Sequence, residues 1–553
     1  MVFTSYPRLD AGALILGTSL ASYLVCKRYE PQRVLCHFSL FVCVPLTLWR
    51  CVLAQNLATC TLSLVSYNAL ILLFTLVYRL SPIHPLAEYP GPSLARISKL
   101  RSSYVCAQGK QHLYFQRLHE KYGDFVRTGP NELSVCDASA IPVVLGAKGL
   151  QKGPWWSNRP HGPVLVGLRD ASEHARRREG WNRAFTSAAV KGYEDHVVKR
   201  CRQLVERFEG LVRQQEGDKI ARGALLDFGG WITYFSTDLM GDMAFGGGFE
   251  LVREGKDIEG IWDILESGLR ETAVASHIPW IFSYIKLIPS LQQGVDRVQK
   301  FSEINVAKRM EMGAKRRDLF YHLNDEQKDD HKRLTFEELA ADGILAIIAG
   351  SDTASMVVTS LFWYLLQYPA AYQKLKEEVD REFPSGEEPV DAVKLSHMTW
   401  LNGCINEASR LLPPVPGGAQ RCVPRGAGPK VIGKHVVPDG SQVIIHTYSV
   451  HRDPRNFTAP NSFLPERWLS PPPAEIETHN AAAFFPYSYG PANCAGKNLA
   501  VLEMRVVICW LVQRFDMQRA DGEKAALFEE WENSLQDFYV MSKGALWLRM
   551  VRR

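Results

Sequence analysis

Phe485-Pro-Tyr-Ser-Tyr-Gly490-Pro-Ala-Asn-Cys494-Ala-Gly496-Lys-Asn-Leu-Ala500 is a loop rich in glycine and proline that runs into a cysteine. A helical pattern, Leu499–Phe515, begins just after it. Such a loop holds a sulfur still. Backbone amides near a helix start lower the energy of a thiolate and temper its electron donation. Glycine at 490 and at 496 lets the backbone approach a flat ligand closely. The loop therefore has two readings: a poised, ligating thiolate, or a buried structural cysteine in a turn.

Working outward, Glu407-Ala-Ser-Arg410 places an acid and a guanidinium at i, i+3, on one helix face. Alone, such a pair is most often a surface ion pair of small value. Arg467, in Pro465-Glu466-Arg467-Trp468, is a third candidate member. A buried Glu–Arg–Arg network would be structural, and losing one member would leave an unpaired buried charge.

Thr335-Phe336-Glu337-Glu338 reads as a capping box. A helical pattern follows to about Tyr368, where Pro369 stops it, and Leu345 to Trp363 is apolar nearly all round, as expected of a helix through a core. Asp352 and Thr353, in Ala349-Gly350-Ser351-Asp352-Thr353-Ala354, argue against a membrane span here. An acid and a hydroxyl at an apolar helix centre are costly unless used. Gly350 would permit a local distortion. The alternative is that Thr353 bonds back to its own helix and Asp352 pairs elsewhere.

The rest of the globular pattern is helix-rich first, with examples at Leu113–Tyr122, Ser187–Phe208 and Trp231–Phe245, and further helices at Tyr372–Phe383 and Thr399–Leu412. A small β region follows. Val431–Val437 and Gln442–Tyr448 flank Pro438-Asp439-Gly440, which predicts a hairpin. The expected fold is mainly α with a small β region, with residues 93–553 as one catalytic domain. His174 and Arg178 stand four apart on one helical face, in His174-Ala-Arg176-Arg177-Arg178. With Arg421 they are candidate basic ligands, or else a solvated face.

The N-terminal 80 residues read as a membrane anchor with one to three transmembrane helices. Leu57–Tyr78 is uncharged and, at about 1.5 Å per residue, long enough for a hydrocarbon core of roughly 30 Å. Ala11–Cys26 and Val34–Trp49 are shorter uncharged runs. Lys27, Arg28 and Arg33 lie in the first gap; Gln55 and Asn56 lie in the second. If positive loops stay cytosolic, the domain after residue 79 faces the cytosol. Residues 81–92, with Pro82, Pro85, Pro90 and Pro92, read as a proline-rich hinge.

Length and composition allow two to four domains, or one large enzyme with an appendage. With 46% hydrophobic and 22% charged residues, a large core forms and global disorder is excluded. A net charge of +5, without a basic block interleaved with aromatics, gives no sign of a nucleic-acid partner. Of 12 cysteines, none form C-x-x-C, which argues against a zinc ribbon or thioredoxin motif and suits a reducing compartment. No Walker loop, no G-x-G-x-x-G after a strand and no H-E-x-x-H is present.

The cysteine loop resembles that of the cytochrome P-450 family, whose pattern is Phe-x-x-Gly-x-Arg-x-Cys-x-Gly. Gly490, Cys494 and Gly496 match. Tyr487 stands where phenylalanine is usual, and Ala492 stands where an arginine for a haem propionate is common. Residues 349–354, Glu407, Arg410 and Arg467 follow the family's motif order over roughly 88 to 545. The resemblance implies the P-450 fold and haem b with Cys494 as axial thiolate and sole metal ligand. It also implies Asp352 and Thr353 as proton relay, and His174, Arg178 and Arg421 at the propionates. Electrons would come from NADPH through a separate cytochrome P-450 reductase. The loop and His451-Arg452-Asp453-Pro454 look similar to fungal members, many of which oxidise terpenoids or other secondary metabolites. The expected enzyme is a monooxygenase on a lipophilic substrate, held in membrane lipid at the endoplasmic reticulum. A fatty acid or xenobiotic hydroxylase, a reductase-independent isomerase or dehydratase, a non-catalytic haem-binding membrane protein and a haem-free multi-span protein are the alternatives. Trp155, Trp156, Ala349 and Val415 are pocket candidates by analogy.

Overall fold

The core helix, Phe336–Gln367, is fixed at its start by local chemistry. Thr335 Oγ1 accepts from the Glu338 amide at 3.2 Å, and the Glu338 carboxylate accepts from the Thr335 amide at 3.0 Å. Pro369 opens the next helix, Pro369–Glu382. This computed structural model describes residues 8–53, 56–157, 164–216, 223–258, 260–313, 317–325 and 333–553. The middle of the core helix is apolar nearly all round and mostly buried, with Ala349 left open. Phe228–Phe245, Pro289–Glu311, Thr399–Leu411 and Lys497–Arg514 all pack on it. The helix is long and apolar enough to cross a membrane, but 61% of its apolar window is buried in protein. It is a core element.

The five-stranded sheet has the order Phe125–Gly129, Glu132–Val135, Gln442–Ile445, Arg421–Cys422, Gln151–Lys152. The expected hairpin across Pro438-Asp439-Gly440 does not form. Lys430–Ile432 instead turns at Gly433, φ +57°, and pairs antiparallel with His435–Val437. Gln442–Ile445 pairs parallel with Glu132–Val135 and antiparallel with Arg421–Cys422. Strand choice here depends on partners distant in sequence, which local turn chemistry cannot specify. A second sheet has the order Ala224–Asp227, Trp547–Arg552, Phe515–Arg519.

The continuous helix expected over Ser187–Phe208 is two helices, Ser187–Lys191 and Glu194–Glu216, parted at Gly192. The remaining helices run Gln111–Tyr122, Phe228–Phe245 and Thr399–Leu411, close to the expected ranges.

At the N-terminus, Arg8–Tyr29 and Leu57–Leu80 are helical, and the middle run is α-helix from Val34 and from Val44 with a π-helical turn, Ser39–Cys43, between. By length and composition, Val34–Cys51 and Leu57–Leu80 suffice to cross a membrane. The helices bond to one another: Tyr67 OH donates to Ser22 Oγ at 2.5 Å, and Asn68 Nδ2 donates to the Phe41 carbonyl at 3.1 Å. Gln55 of the second gap lies outside the described residues. The first gap rests on the globular domain. Ser283 Oγ donates to the Gln32 carbonyl at 2.7 Å, and Arg425 pairs with Glu30 at 2.5 Å.

Residues 81–92 pack against the domain. Leu86 and Tyr89 are 1% and 2% exposed and belong to the core around the five-stranded sheet. Tyr89 OH donates to the Val436 carbonyl at 3.1 Å. Prolines set the path of this segment, and its apolar side chains fasten it to the domain.

Candidate active site

The cysteine loop is a closed turn. The Cys494 amide donates to the Tyr487 carbonyl at 2.9 Å, and the Asn493 amide donates to the Gly490 carbonyl at 3.0 Å. Gly490 has φ +73°, and a Cβ there would lie 2.2 Å from the Leu145 carbonyl oxygen. Glycine is thus required by backbone conformation and by the neighbouring helix Ala140–Leu145. Gly496, at the start of helix Lys497–Arg514, has no such constraint: a Cβ would meet only the Phe185 ring, at 3.6 Å. Gly496 does line the cavity described next.

Cys494 lies deep in the protein, yet its side chain is open, because it faces a cavity of about 680 Å³. The wall is mostly apolar, with Trp181, Leu265, Ile344, Val357 and Leu499 among its residues. Burial pushes the Cys494 thiol up. The amides of Gly496 and Lys497 and the charges of Arg178 and Lys497 pull it down again in part.

The core helix crosses this cavity at Ala349, Gly350 and Thr353. It stays α-helical there, so the distortion expected at Gly350 is absent. The glycine makes room for Met240 instead, whose Sδ would lie 2.5 Å from a Cβ. Thr353 Oγ1 donates to the Ala349 carbonyl at 2.7 Å. Asp352 is not among the residues that line the cavity. Burial raises its carboxyl to about 6; Lys543 lowers it and Glu266 raises it.

The basic candidates meet at the same cavity. His174, Arg178 and Arg421 all line it, and Lys152, which the sequence reading did not single out, joins them. Burial, followed by the charges of Lys152, Arg178 and Arg421, lowers His174 to about 4, so its imidazole is neutral near pH 7. Arg178 gives three of its five N–H groups to neighbours. It donates to the Asn493 carbonyl at 2.7 Å, to Asn493 Oδ1 at 3.0 Å and to Asn182 Oδ1 at 2.8 Å, so it braces the residue before the cysteine. Arg421 is 6% exposed, and its buried Nε has no hydrogen-bond partner among the described residues. A buried guanidinium without an acceptor is costly. The basic lining of Lys152, His174, Arg178 and Arg421 suits the carboxylates of a haem, and Lys152 Nζ also donates to the Leu165 and Val166 carbonyls, at 3.3 and 2.7 Å.

Glu407, Arg410 and Arg467 do come together, all fully buried. Trp468 Nε1 and the Leu464 amide also donate to the Glu407 carboxylate, each at 3.0 Å. The network lies behind the site. Of the pocket candidates, Trp156, Ala349 and Val415 line the cavity; Trp155 does not. It packs on Tyr539, at 4.9 Å between ring centres. Besides Lys152, two groups were missed. Arg177, within the basic run quoted above, forms a buried ion pair with Asp342 of the core helix, and Trp181 Nε1 donates to the same carboxylate at 3.1 Å. Glu503, one of the cavity-lining residues, carries no sequence signal that separates it from an ordinary helix-surface acid.

Comparisons with known proteins agree on one family. The sequence pattern of the family described as Cytochrome P450 matches residues 89–547. "Cytochrome P450 67" of Uromyces fabae is 30% identical, over 95% of this chain and 96% of its own. "Cytochrome P450 monooxygenase phqL" of Penicillium fellutanum is 32% identical, over 99% and 90%. "Cytochrome P450 monooxygenase FCK2" of Fusarium pseudograminearum (strain CS3096) is 32% identical, over 87% and 85%. The crystal structure of the cytochrome P450DA heme domain shares the fold, with a TM-score of 0.66 at 19% identity, covering 81% of this chain and 94% of that one. With its ordered motifs, its cysteine loop and its mainly helical fold, the chain belongs to the cytochrome P450 family of haem monooxygenases, in which a cysteine thiolate ligates the iron.

Proposed function

We propose that the protein oxidises a lipophilic small molecule of fungal secondary metabolism, such as a terpenoid, with dioxygen and with NADPH electrons passed on by a separate cytochrome P-450 reductase. The observation that carries this reading is the deep apolar cavity onto which Cys494 opens beside the Ala349–Thr353 turn. The printed names of the relatives, monooxygenases from fungi, support the class. When bound, haem b would supply the dioxygen chemistry that a thiolate ligand favours.

The chain's own residues supply the rest. Cys494 would ligate the haem iron. Its burial favours the neutral thiol, and coordination to a metal cation removes the proton outright. His174 and Arg421, with Lys152 beside them, would hold the propionates in place of the guanidinium absent at Ala492. Arg178 orients the cysteine loop through Asn493. Thr353 turns its hydroxyl from the Ala349 carbonyl to protons at the cavity, and Asp352 exchanges protons behind it. The apolar wall orients substrate and excludes water. Residues 1–80 anchor the enzyme in the endoplasmic reticulum membrane, with residues 93–553 facing the cytosol, so that substrates partition in from lipid.

The test is metabolite profiling of cells that express the protein with a P-450 reductase under isotopically labelled dioxygen. The expected result is a lipophilic product carrying one labelled oxygen, absent with Cys494→Ala. Product formation without reductase or NADPH would overturn the monooxygenase reading in favour of an isomerase.

A further inference from the structure

Phe282 and Ile285 line the Cys494 cavity from helix Ile281–Ile285, and Leu291, which also lines it, is 50% exposed. The cavity therefore reaches the surface beside this helix. Five residues are too few to hold a helix by themselves, so its partners decide where this part of the wall stands. Phe282 is buried against the cavity. Ser283 and Tyr284 meet the N-terminal region instead.

That contact has defined geometry. Ser283 Oγ donates to the Gln32 carbonyl at 2.7 Å, and the Tyr284 hydroxyl lies 2.8 Å from His37 Nδ1. His37 Nε2 lies 2.8 Å from the Pro31 carbonyl, which can only accept, so Nε2 carries a proton. Nδ1 of the neutral ring then accepts from the Tyr284 hydroxyl. The two rings also stack, with 5.7 Å between centres and 14° between planes. Trp280 stands edge-on to both, at 6.2 Å from His37 and 5.9 Å from Tyr284.

The same loop has a second hold on the domain. Arg425 donates to the Arg28 carbonyl at 2.6 Å and to the Lys27 carbonyl at 3.3 Å, and pairs with Glu30. These are carbonyls left without helical partners at the end of helix Arg8–Tyr29. Glu30 turns the chain there, at φ +44°. Arg425 follows strand Arg421–Cys422, whose Arg421 lines the cavity. Residues 27–37 thus tie together two parts of the cavity wall that are far apart in sequence. A membrane anchor needs only length and apolarity. Neither calls for a histidine stacked on the domain, nor for an arginine of the domain at the end of the first helix.

We propose that His37 is a positioning residue of the substrate cavity: through Tyr284 it holds helix Ile281–Ile285, and with Arg425 the loop of residues 27–37 staples the cavity mouth. Releasing the histidine frees the helix, so bulky ligands pass the mouth faster while small ones pass as before. The proposal rests on reading the Cys494 cavity as the haem and substrate cavity. Failure of that reading appears as no Soret shift with imidazole in wild type. Failure of the proposal appears at the amides of the helix, which report without haem.

The test uses the full chain, haem-loaded in lipid nanodiscs, mixed by stopped flow with imidazole or with dodecylimidazole, whose ring nitrogen shifts the Soret band on reaching the iron. His37→Leu removes the acceptor. Tyr284→Phe keeps the ring and loses only the hydroxyl, which preserves the test if the anchor variant does not insert. In either variant dodecylimidazole should enter and leave about two- to ten-fold faster, the factor that one hydrogen bond is worth, with the imidazole rates unchanged. The double variant should match the singles, because each removes the same interaction. Amide hydrogen exchange within Ile281–Ile285 should rise in both variants, and that of Phe336–Gln367 should not. Wild-type dodecylimidazole rates in Tyr284→Phe, an equal rise for imidazole, or unchanged exchange in the short helix overturns the proposal.

Discussion

Arg410 grips Glu407 with both sides of its guanidinium, Nε to Oε2 at 2.9 Å and Nη2 to Oε1 at 2.8 Å. Arg467 Nε donates to the same Oε1 at 2.9 Å. Burial alone would raise the Glu407 carboxyl, but Arg410 and Arg467 outweigh it and hold it below its ordinary value. Removing Arg410 takes away the two-point grip and leaves the buried carboxylate with Arg467 Nε as its charged donor. Arg410→Met should cost about 3–5 kcal/mol of stability, read as a lowered denaturant midpoint and lost haem. The pH sense follows from a depressed carboxyl. The network's stabilisation is complete above the unfolded value, about 4.3, and is lost as pH falls through the lower folded value.

Cys494→Ala should abolish the red-shifted Soret band of the reduced carbon monoxide complex. If that band persists, another group ligates the iron.

The two basic side chains differ in what they already hold. Arg421 Nε has no partner among the described residues, whereas Arg178 is bonded to Asn493 and Asn182. Arg421→Leu should therefore lower haem retained after gel filtration by weakening propionate binding alone. Arg178→Leu should act through the cysteine loop, so its ferric spectrum shifts as well. Identical haem loss with an unshifted spectrum in both would contradict this division.

Gly490→Ala meets the Leu145 carbonyl and a positive φ, while Gly496→Ala meets neither. The first should destabilise the protein even before haem loading, by at least about 2 kcal/mol. The second should leave the haem-free fold near neutral and reduce haem uptake. Thermal unfolding of both forms, with and without haem, separates the two.

Thr353→Ala should raise NADPH consumed per product, because its hydroxyl is the polar group of the core helix that lines the cavity beside Gly350. Lys543→Met removes the charge that lowers the Asp352 carboxyl, so the acid moves above about 6 and stays neutral to higher pH. The acidic limb of the coupling profile should move to higher pH with it. An unmoved limb would detach Asp352 from proton delivery.

The features legible in the sequence are those fixed by chemistry within one or two helical turns. Thr335 and Glu338 cap the core helix, Pro369 follows its end, and Glu407 reaches Arg410 at i, i+3, because in each case the partner is a near neighbour in the chain. The motif order then pointed to Cys494 and its helix. Tertiary structure decided whatever depends on distant partners. It paired Gln442–Ile445 with Glu132–Val135 instead of the segment across Pro438-Asp439-Gly440. It turned Trp155 out of the cavity, gave Arg178 to Asn493 and buried Arg177 on Asp342. Glu503 shows the reason most directly. Its sequence context is that of an ordinary helical acid, and only the packing of three helices removes its water and leaves Ser236 as its hydrogen-bond donor.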